Sequence, residues 1–409
     1  MPATHPGLNP GVSYLDYNAT TPVDPRVVEA MLPYLTVHFG NPSSAHAYAT
    51  VPARGLGIAR RQVAALIGAQ PEEIVFTASG SEADALAIRG TVLAASRTNP
   101  WVHVITQATE HPAVLAACRA LQRDHGADIT VLPVDQNGLL DPARLEAALT
   151  PRTVLVSVMY ANNETGTLQP IAELAALTRR HGALFHTDAA QAVGKVPVDV
   201  RTLGIDLLTM VGHKMYAPKG IATLYIRPGV ALSPLIDGGG QERGLRAGTE
   251  SVAHAVALGA AAELTGEELA NGAPARLETL RNRLHHTLAE RLPARVRLNG
   301  HPVRRLPNTL NLSIAGTRGH QLLADCPAIA ASTGAACHAG THAPSPVLRA
   351  MNLADDLALA AIRLTLGRWT TEDDVDRTAA ALLAAASSDT DSRACLPAAA
   401  PVTASVEPT

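Results

Sequence analysis

The sequence lacks an excess of charge of either sign. Its 409 residues include 33 lysines and arginines against 36 acids, a formal net charge of −3. This balance does not provide the broad positive field with which proteins gather phosphate backbones, so we expect no nucleic-acid partner. With 47% hydrophobic residues and this length, the chain can bury a large apolar core. The length also favours two or three domains.

Cysteine is scarce, and long apolar runs are missing. The four cysteines are Cys118, Cys326, Cys337 and Cys395, and no two of them form a C-x-x-C pair. This spacing predicts neither a disulfide framework nor a zinc site, and we expect no bound metal. Residues 1–11 contain proline and glycine where a secretory signal needs an apolar core, and no uninterrupted apolar stretch reaches membrane-spanning length. We therefore expect no membrane partner and a reducing, cytoplasmic location, in which one of the thiols could be reactive.

Short apolar runs alternate with Ala- and Leu-rich segments at helical spacing, a pattern typical of a mostly parallel sheet with crossover helices. The predicted strands are Ile74–Thr77, Val102–Thr106, Val154–Met159, Leu184–Thr187, Leu207–Val211 and Ala222–Ile226. The predicted helices are Ser81–Val92, Ala113–Asp124, Pro142–Ala148 and Pro170–Arg180. The sequence therefore predicts an α/β fold.

The chain changes character near Glu267. A long charged helix is predicted from there to Arg291, followed by the strands Leu310–Ile314 and Ala328–Ala331 and a final helix, Asp373–Ala386. We predict a large domain over 24–266 and a smaller α+β domain formed by 1–23 and 267–386. Residues 387–409, rich in Ser, Thr, Pro and Ala, are predicted to be a disordered tail.

Polar side chains follow five of the predicted strands. The clusters are Ser79-Gly80-Ser81-Glu82, Glu110-His111, Asn162-Asn163-Glu164, Asp188-Ala-Ala-Gln191 and Gly212-His213-Lys214. Loops are often polar because they are exposed. In open α/β sheets, however, ligands bind outside the carboxyl ends of the strands, and five such clusters together favour one binding crevice.

Lys214 and Asp188 suggest the chemistry of that crevice. Lys214 follows a buried strand and a glycine, where desolvation lowers the pKa of its amine and frees it to form an imine with a carbonyl. Asp188 could hold the nitrogen of a pyridoxal phosphate ring protonated, which makes the ring an electron sink. A solvated surface lysine and a helix-capping aspartate are the ordinary alternatives, but a cap alone leaves Lys214 unexplained.

The remaining clusters suit other parts of the same cofactor. The N–H groups after Ser79 could bind a phosphate with the Ser81 hydroxyl, although a serine cap with Glu82 or Asp84 in the first turn is the ordinary alternative. His213 could also reach a phosphate. His111 could lie against a ring or move protons, or be an ordinary hydrogen-bonded histidine. Asn163 and Gln191 would suit a phenolic oxygen.

Two features point to a substrate. The segment from Ala331 to His342 consists of small residues with two glycines, which predicts a mobile loop whose Cys337, beside His338, could be a thiolate near neutral pH. An inert buried cysteine is the commoner case, and Cys118 fits it better. Arg363 lies in an apolar strand-like run, where either a substrate carboxylate or a structural ion pair would satisfy its charge.

The ordered motifs resemble those of the cysteine desulfurases and the related selenocysteine lyases, pyridoxal-phosphate enzymes of the class V aminotransferase group. The similarity runs from the segment Tyr14-Leu-Asp-Tyr-Asn-Ala-Thr-Thr-Pro22 to about Arg377. Besides the clusters after the strands, it includes Phe39-Gly-Asn-Pro-Ser-Ser44, Gly238-Gly-Gly-Gln-Glu-Arg243 and Arg246-Ala-Gly-Thr249.

The resemblance implies a fold-type-I pyridoxal-phosphate enzyme, a homodimer with a mostly parallel seven-stranded sheet. It implies that Lys214 holds the cofactor, that Asp188 pairs the ring nitrogen and that His111 stacks on the ring. The implied ligands of the ring oxygen are Asn163 and Gln191, and those of the phosphate are Gly80, Ser81, His213 and the partner subunit's Thr249. The implied ligands of the substrate carboxylate are Arg363 and Asn41.

By the same resemblance, Cys337 takes sulfur from L-cysteine as a persulfide, leaves L-alanine, and passes the sulfur to an acceptor protein. Three positions depart from the family pattern. Val211 replaces a Ser or Thr at the phosphate, Ala85 replaces an amide, and Ala-Ala-Cys337-His338 resembles the selenocysteine lyase branch. We therefore predict a cysteine desulfurase and keep a selenocysteine lyase as the alternative. A simple transaminase would leave the loop thiol of Cys337 unexplained. The presence of Lys214, Asp188 and Cys337 argues against a binding protein without catalytic activity.

Overall fold

The computed structural model describes residues 4–334 and 343–394. Within them the strands, in chain order, are β1 Ser13–Tyr14, β2 Ile74–Thr77, β3 His103–Gln107, β4 Asp128–Leu132, β5 Thr153–Ser157, β6 Leu184–Asp188, β7 Leu207–Val211, β8 Ala222–Ile226, β9 Val296–Leu298, β10 Thr309–Ile314, β11 Ile329–Ala330 and β12 Ala361–Thr365.

The helices of the same residues are α1 Pro25–Thr36, α2 Ala47–Leu66, α3 Gly80–Ala95, α4 Pro112–His125, α5 Pro142–Ala148, α6 Ile171–Arg180, α7 Val200–Leu203, α8 Val252–Ala270, α9 Ala273–Arg291, α10 Gly319–Ala324, α11 Pro346–Ala350, α12 Asp355–Leu359 and α13 Glu372–Ala394. Among these, no helix combines the length and the hydrophobicity that crossing a bilayer requires.

A seven-stranded sheet in the order β2-β8-β7-β6-β5-β3-β4 forms the centre of the molecule. β8 is antiparallel to both of its neighbours, and the other pairs are parallel. The predicted mostly parallel α/β fold is confirmed. The edge strand β4 was not predicted, because most of its side chains are exposed or half-buried and it lacks a continuous apolar run.

Helices cover both faces of this sheet, so successive strand residues enter two different cores. Leu155 and Leu207 pack with α3 and α4, whereas the next residues, Val156 and Leu208, join a core with α1, α2, α6 and α8. Burial on both faces explains why the strands read as continuous apolar runs in the sequence.

A smaller three-stranded antiparallel sheet, β12-β10-β9, packs against α9 and α13 in a separate apolar cluster. The predicted stretch from Glu267 to Arg291 is helical for most of its length, but it is not one helix: it contains the end of α8 and all of α9, which Gly272, in the left-handed region at φ 79°, separates. The tail prediction is wrong over 387–394, because α13 continues to Ala394. The domain division stays a prediction, and α8 crosses its boundary at residue 266.

Candidate active site

The predicted polar clusters meet at one cavity of about 320 Å³ at the carboxyl ends of the central strands. Nine of the predicted site residues line it: Gly80, Ser81, His111, Asn163, Asp188, Gln191, His213, Lys214 and Arg363. Eight of them come together because these strands end on the same edge of the large sheet, whereas Arg363 comes from β12 of the small sheet. The roles assigned to them remain predictions.

Three predicted site residues do not line this cavity in the described structure. Asn41 and Thr249 are exposed elsewhere on the same chain. Cys337 lies in residues 335–342, outside the described residues, as does His338. On one side of this gap, the Ser345 hydroxyl donates to Glu164 Oε2 at 2.5 Å. On the other side, a Cβ atom at position 334 would lie 2.9 Å from the same oxygen.

The described cysteines have no catalytic setting. Cys118 packs inside α4, where burial raises the pKa of its thiol to about 12. Cys326 is buried as well, and desolvation raises the pKa of its thiol. Both fit the interpretation of cysteine as a small apolar core residue. Cys395 lies outside the described residues.

Lys214 ends the short 3₁₀ turn Gly212–Lys214 that follows β7. Its Nζ donates hydrogen bonds to the carbonyl oxygens of Asn18 and Ala19, each at 2.7 Å. Burial, followed by the nearby Arg363 guanidinium, lowers the pKa of Lys214 to about 8, against a smaller opposing effect of Asp188. The amine is therefore partly neutral near physiological pH and can act as a nucleophile.

Two buried carboxyl groups and an imidazole face one another in the cavity. Ligand atoms of Asp84, His111 and Asp188 all lie within 4.8 Å of one another. Asp188 Oδ1 accepts the N–H of Ala190 at 2.9 Å, so part of the predicted capping role exists. A set of this kind could hold either a cation or a protonated ring nitrogen.

The two carboxyl groups differ in how their charge is compensated. Burial and the Asp188 carboxylate raise the pKa of Asp84 well above its ordinary value. Burial raises the pKa of Asp188 too, but the Ala190 N–H, His111 and Lys214 oppose the rise. Asp84 Oδ1 lies 3.8 Å from His186 Nε2 and has no hydrogen-bond partner among the described residues. Asp84 is therefore the more readily protonated of the two carboxyl groups.

The start of α3 presents donors to the cavity. The Ser79 hydroxyl accepts the N–H of Glu82 at 3.1 Å, so the predicted serine cap is present. The N–H groups of Gly80 and Ser81 have no acceptor among the described residues. His213 Nδ1 is 3.1 Å from the Thr20 hydroxyl, and burial lowers the pKa of His213 to about 4. A neutral His213 can donate through Nε2.

Val211 forms an apolar wall beside these donors. Its methyl carbon Cγ2 would lie 2.6 Å from a Cβ atom at position 80, so only glycine fits there without a shift. Ala85 is half-buried on α3 and does not line the cavity. Of the two substitutions, only Val211 therefore changes the surface of the site.

Arg363, on β12, forms the structural ion pair that was one of its two predicted roles. Its Nη2 donates to Asp16 Oδ1 at 2.8 Å, and its Nη1 donates to the carbonyl oxygen of Asn163 at 3.1 Å. Its Nε has no hydrogen-bond partner among the described residues. The structural ion pair exists, and the guanidinium still faces the cavity.

Several contributors to the site were not assigned a role from the sequence. Asn18, fully buried, donates from Nδ2 to the carbonyl oxygen of Asn163 at 3.2 Å and to the Thr309 hydroxyl at 2.9 Å. It follows no strand of the large sheet, so the strand-end pattern could not find it. Asp84 lies one turn inside α3, where the sequence suggested only a first-turn acid. A single aspartate among the mostly apolar residues of the inner face of α3 was the available signal.

Comparison with known proteins gives consistent matches over most of the chain. The family model "Aminotransferase class-V" matches residues 13–378. A cysteine desulfurase of Trichormus azollae is 49% identical over 369 residues, which is 90% of each chain. Two solved structures are similar: a "NIFS-like protein" (TM-score 0.85, 34% identity, 92% of this chain and 99% of the other) and "SspA in complex with cysteine" (TM-score 0.77, 35% identity, 88% and 100%). These matches do not favour the selenocysteine lyase alternative.

Proposed function

The chain belongs to the class V aminotransferases and, among them, to the cysteine desulfurases, and from this premise we propose that it converts L-cysteine to L-alanine and keeps the sulfur as a persulfide on Cys337. The observation that carries the proposal is the placement of Lys214, Asp188 and Arg363 around one cavity. An amine of lowered pKa, a carboxylate and a guanidinium are the groups that a pyridoxal-phosphate enzyme needs for an amino-acid substrate.

The cavity residues fit pyridoxal phosphate. The N–H groups of Gly80 and Ser81 can hold the phosphate with neutral His213, in a cradle that a Cβ at position 80 would obstruct. Asp188 would hold the ring nitrogen and Lys214 the aldehyde carbon. His111 would lie on the ring, and Asn163 and Gln191 would bind its oxygen. When bound, the cofactor supplies an electron sink for the bonds of the substrate Cα.

The protein's own groups act on the substrate and its protons. Arg363 would bind the substrate carboxylate, and Asn41 is proposed to assist. Lys214 Nζ, with a pKa of about 8, can both accept and return a proton near neutral pH. The Cys337 thiolate attacks the substrate sulfur, so that the S–S bond forms as the Cβ–S bond breaks. The electron pair of the broken bond stays on Cβ, which takes up a proton and becomes the methyl group of alanine.

We propose that two copies of the chain form the working enzyme. Large apolar side chains of α1, of the start of α2 and of the connection between them are exposed on this chain: Val28, Leu32, Leu35, Val37, Phe39 and Tyr48. The rings of Phe39 and Tyr48 lie 5.6 Å apart, and several large apolar side chains exposed in one stretch of the chain are typical of a protein interface. The proposal that the partner subunit's Thr249 binds the phosphate requires such a dimer, and size-exclusion chromatography with light scattering tests it.

Other parts of the proposal concern the setting of the enzyme. The persulfide would be passed to an acceptor protein, and a cytoplasmic location would keep the Cys337 thiol reduced. We retain the division into a large domain, 24–266, and a small domain, 1–23 with 267–386, as part of the proposal.

The test of the function is turnover of L-cysteine by the purified protein in the presence of a thiol reductant. We expect one alanine for each sulfide released. We expect C337A to lose this turnover while binding pyridoxal phosphate normally, and K214A to lose both. Cysteine turnover by C337A at the wild-type rate would refute the persulfide step, and turnover by K214A would refute the cofactor assignment.

A further inference from the structure

Lys195 is a buried lysine beside the cavity to which no role is yet assigned. The chain contains only three lysines among its 33 basic residues: Lys195, Lys214 and the exposed Lys219. Lys195 lies in the turns that follow β6, four residues after Gln191. Its side chain is buried, a state that lysine rarely adopts without a specific partner.

The partners of Lys195 are two side-chain amides rather than an acid. Its Nζ donates to Asn18 Oδ1 at 3.1 Å and to Gln191 Oε1 through a short hydrogen bond. Burial, and after it Lys214 and Arg363, lower the pKa of Lys195 well below its ordinary value. Both the charged and the neutral amine carry enough hydrogens for two amide oxygens, so these contacts do not depend on its charge.

An amide side chain has an accepting end and a donating end of almost the same shape. Lys195 donates in both contacts, so the oxygen of each amide faces it and the NH₂ groups point away. Asn308 Nδ2 also donates to Asn18 Oδ1, at 3.2 Å, whereas Lys195 is the one described donor to Gln191 Oε1. Nδ2 of Asn18 then reaches Asn163 and Thr309. Gln191 Nε2 donates one hydrogen to the carbonyl oxygen of Asn18 at 2.9 Å. Its second hydrogen has no acceptor among the described residues, although Gln191 is buried and lines the cavity.

We propose that Lys195 is a positioning residue that holds Gln191 Oε1 and Asn18 Oδ1, so that Gln191 presents an N–H to the ring oxygen of the cofactor. The proposal deepens the proposed function and rests on it for the identity of the cofactor. Lysine suits this place because its compact amino group can reach two oxygens in a tight space, whereas the planar fork of arginine is larger and has fixed donor directions.

The test is a titration of cofactor-free K195M with pyridoxal phosphate, following the dissociation constant and the visible absorption band. We expect the dissociation constant to rise about tenfold to hundredfold, the range produced by leaving a buried hydrogen-bonding group misdirected, and the absorption band to shift. The control K219M removes the exposed lysine and should bind as the wild type does. If K195M has the wild-type dissociation constant and band, the proposal is wrong, even if its melting temperature falls.

A double-mutant cycle tests whether Lys195 acts through Gln191. In a Q191L background, adding K195M should change the dissociation constant about threefold or less, and an undiminished effect would overturn the proposal. If K195M does not fold, Q191E serves instead. It keeps an oxygen for Lys195 but removes the N–H, so we expect weaker cofactor binding, and wild-type binding by Q191E would refute the proposal. A wild-type protein that binds the cofactor but makes no alanine would refute the proposed function without affecting these results.

Discussion

Gly80→Ala is the substitution whose effect can be worked out most directly from the structure. The new Cβ would lie 2.6 Å from Val211 Cγ2, whereas carbon atoms in good contact are about 3.5–4.0 Å apart. Either the start of α3 or the Val211 side chain must therefore move by about 1 Å. Overpacking of this size costs about 1–3 kcal/mol. The strain falls on the N–H groups proposed to hold the phosphate, so we expect cofactor affinity to fall about 5-fold to 150-fold.

Val211→Ala provides the matched rescue because it removes the obstructing methyl groups. We expect the double variant G80A/V211A to bind pyridoxal phosphate within about threefold of V211A alone, since each substitution acts through the same contact. Titration of the cofactor-free proteins by absorbance gives the four dissociation constants, and thermal melting reports any general loss of stability. Wild-type affinity in G80A, or a double variant no better than G80A, would show that the Gly80–Val211 contact does not shape the site.

Three further predictions concern protons and metal. Because the pKa of Lys214 is about 8, about 10% of its amine is neutral at pH 7, against about 0.03% for an ordinary lysine. The rate of cofactor attachment, measured by stopped-flow absorbance, should therefore rise with pH up to about 8 and then level off, and a rise that continues above pH 10 would contradict the lowered pKa. Because Asp84 is expected to be protonated, D84N should keep its free energy of unfolding within about 1 kcal/mol of the wild type, and a loss of several kcal/mol in chemical denaturation would mean that Asp84 is charged. Although Asp84, His111 and Asp188 lie close together, we expect no metal there, so dialysis against a chelator should leave cysteine turnover unchanged. A loss of turnover that a divalent cation restores would show that the enzyme needs a metal.

The strands and the residues that follow them could be predicted because both depend on local sequence. Strands buried on two faces leave uninterrupted apolar runs, and the polar residue after each run then lies at a known edge of the sheet. This reasoning brought Lys214, Asp188 and His111 together correctly. It also explains why β4, an exposed edge strand, was missed.

One contributor that escaped prediction reaches the site through contacts between distant parts of the chain. Asn18 reaches the strand ends through hydrogen bonds to Asn163 and Thr309, more than a hundred residues away. The orientation of Gln191 depends on Lys195, whose burial has no local signal. Four residues also have the ordinary structural role that was the alternative to a function: Ser79 and His111 cap helices, Asp188 accepts a local N–H, and Arg363 forms an ion pair. Such roles use only some of the atoms of each group, so they do not exclude a function.

The most direct test of the central claim is a single turnover without reductant, followed by mass spectrometry. The purified protein is mixed with one equivalent of L-cysteine, its thiols are alkylated, and its peptides are analysed together with the free amino acids. We predict about one alanine per chain and one additional sulfur atom on the peptide that contains Cys337, with none on Cys118 or Cys326. Alanine formed without added sulfur on Cys337, or no alanine at all, would contradict the account.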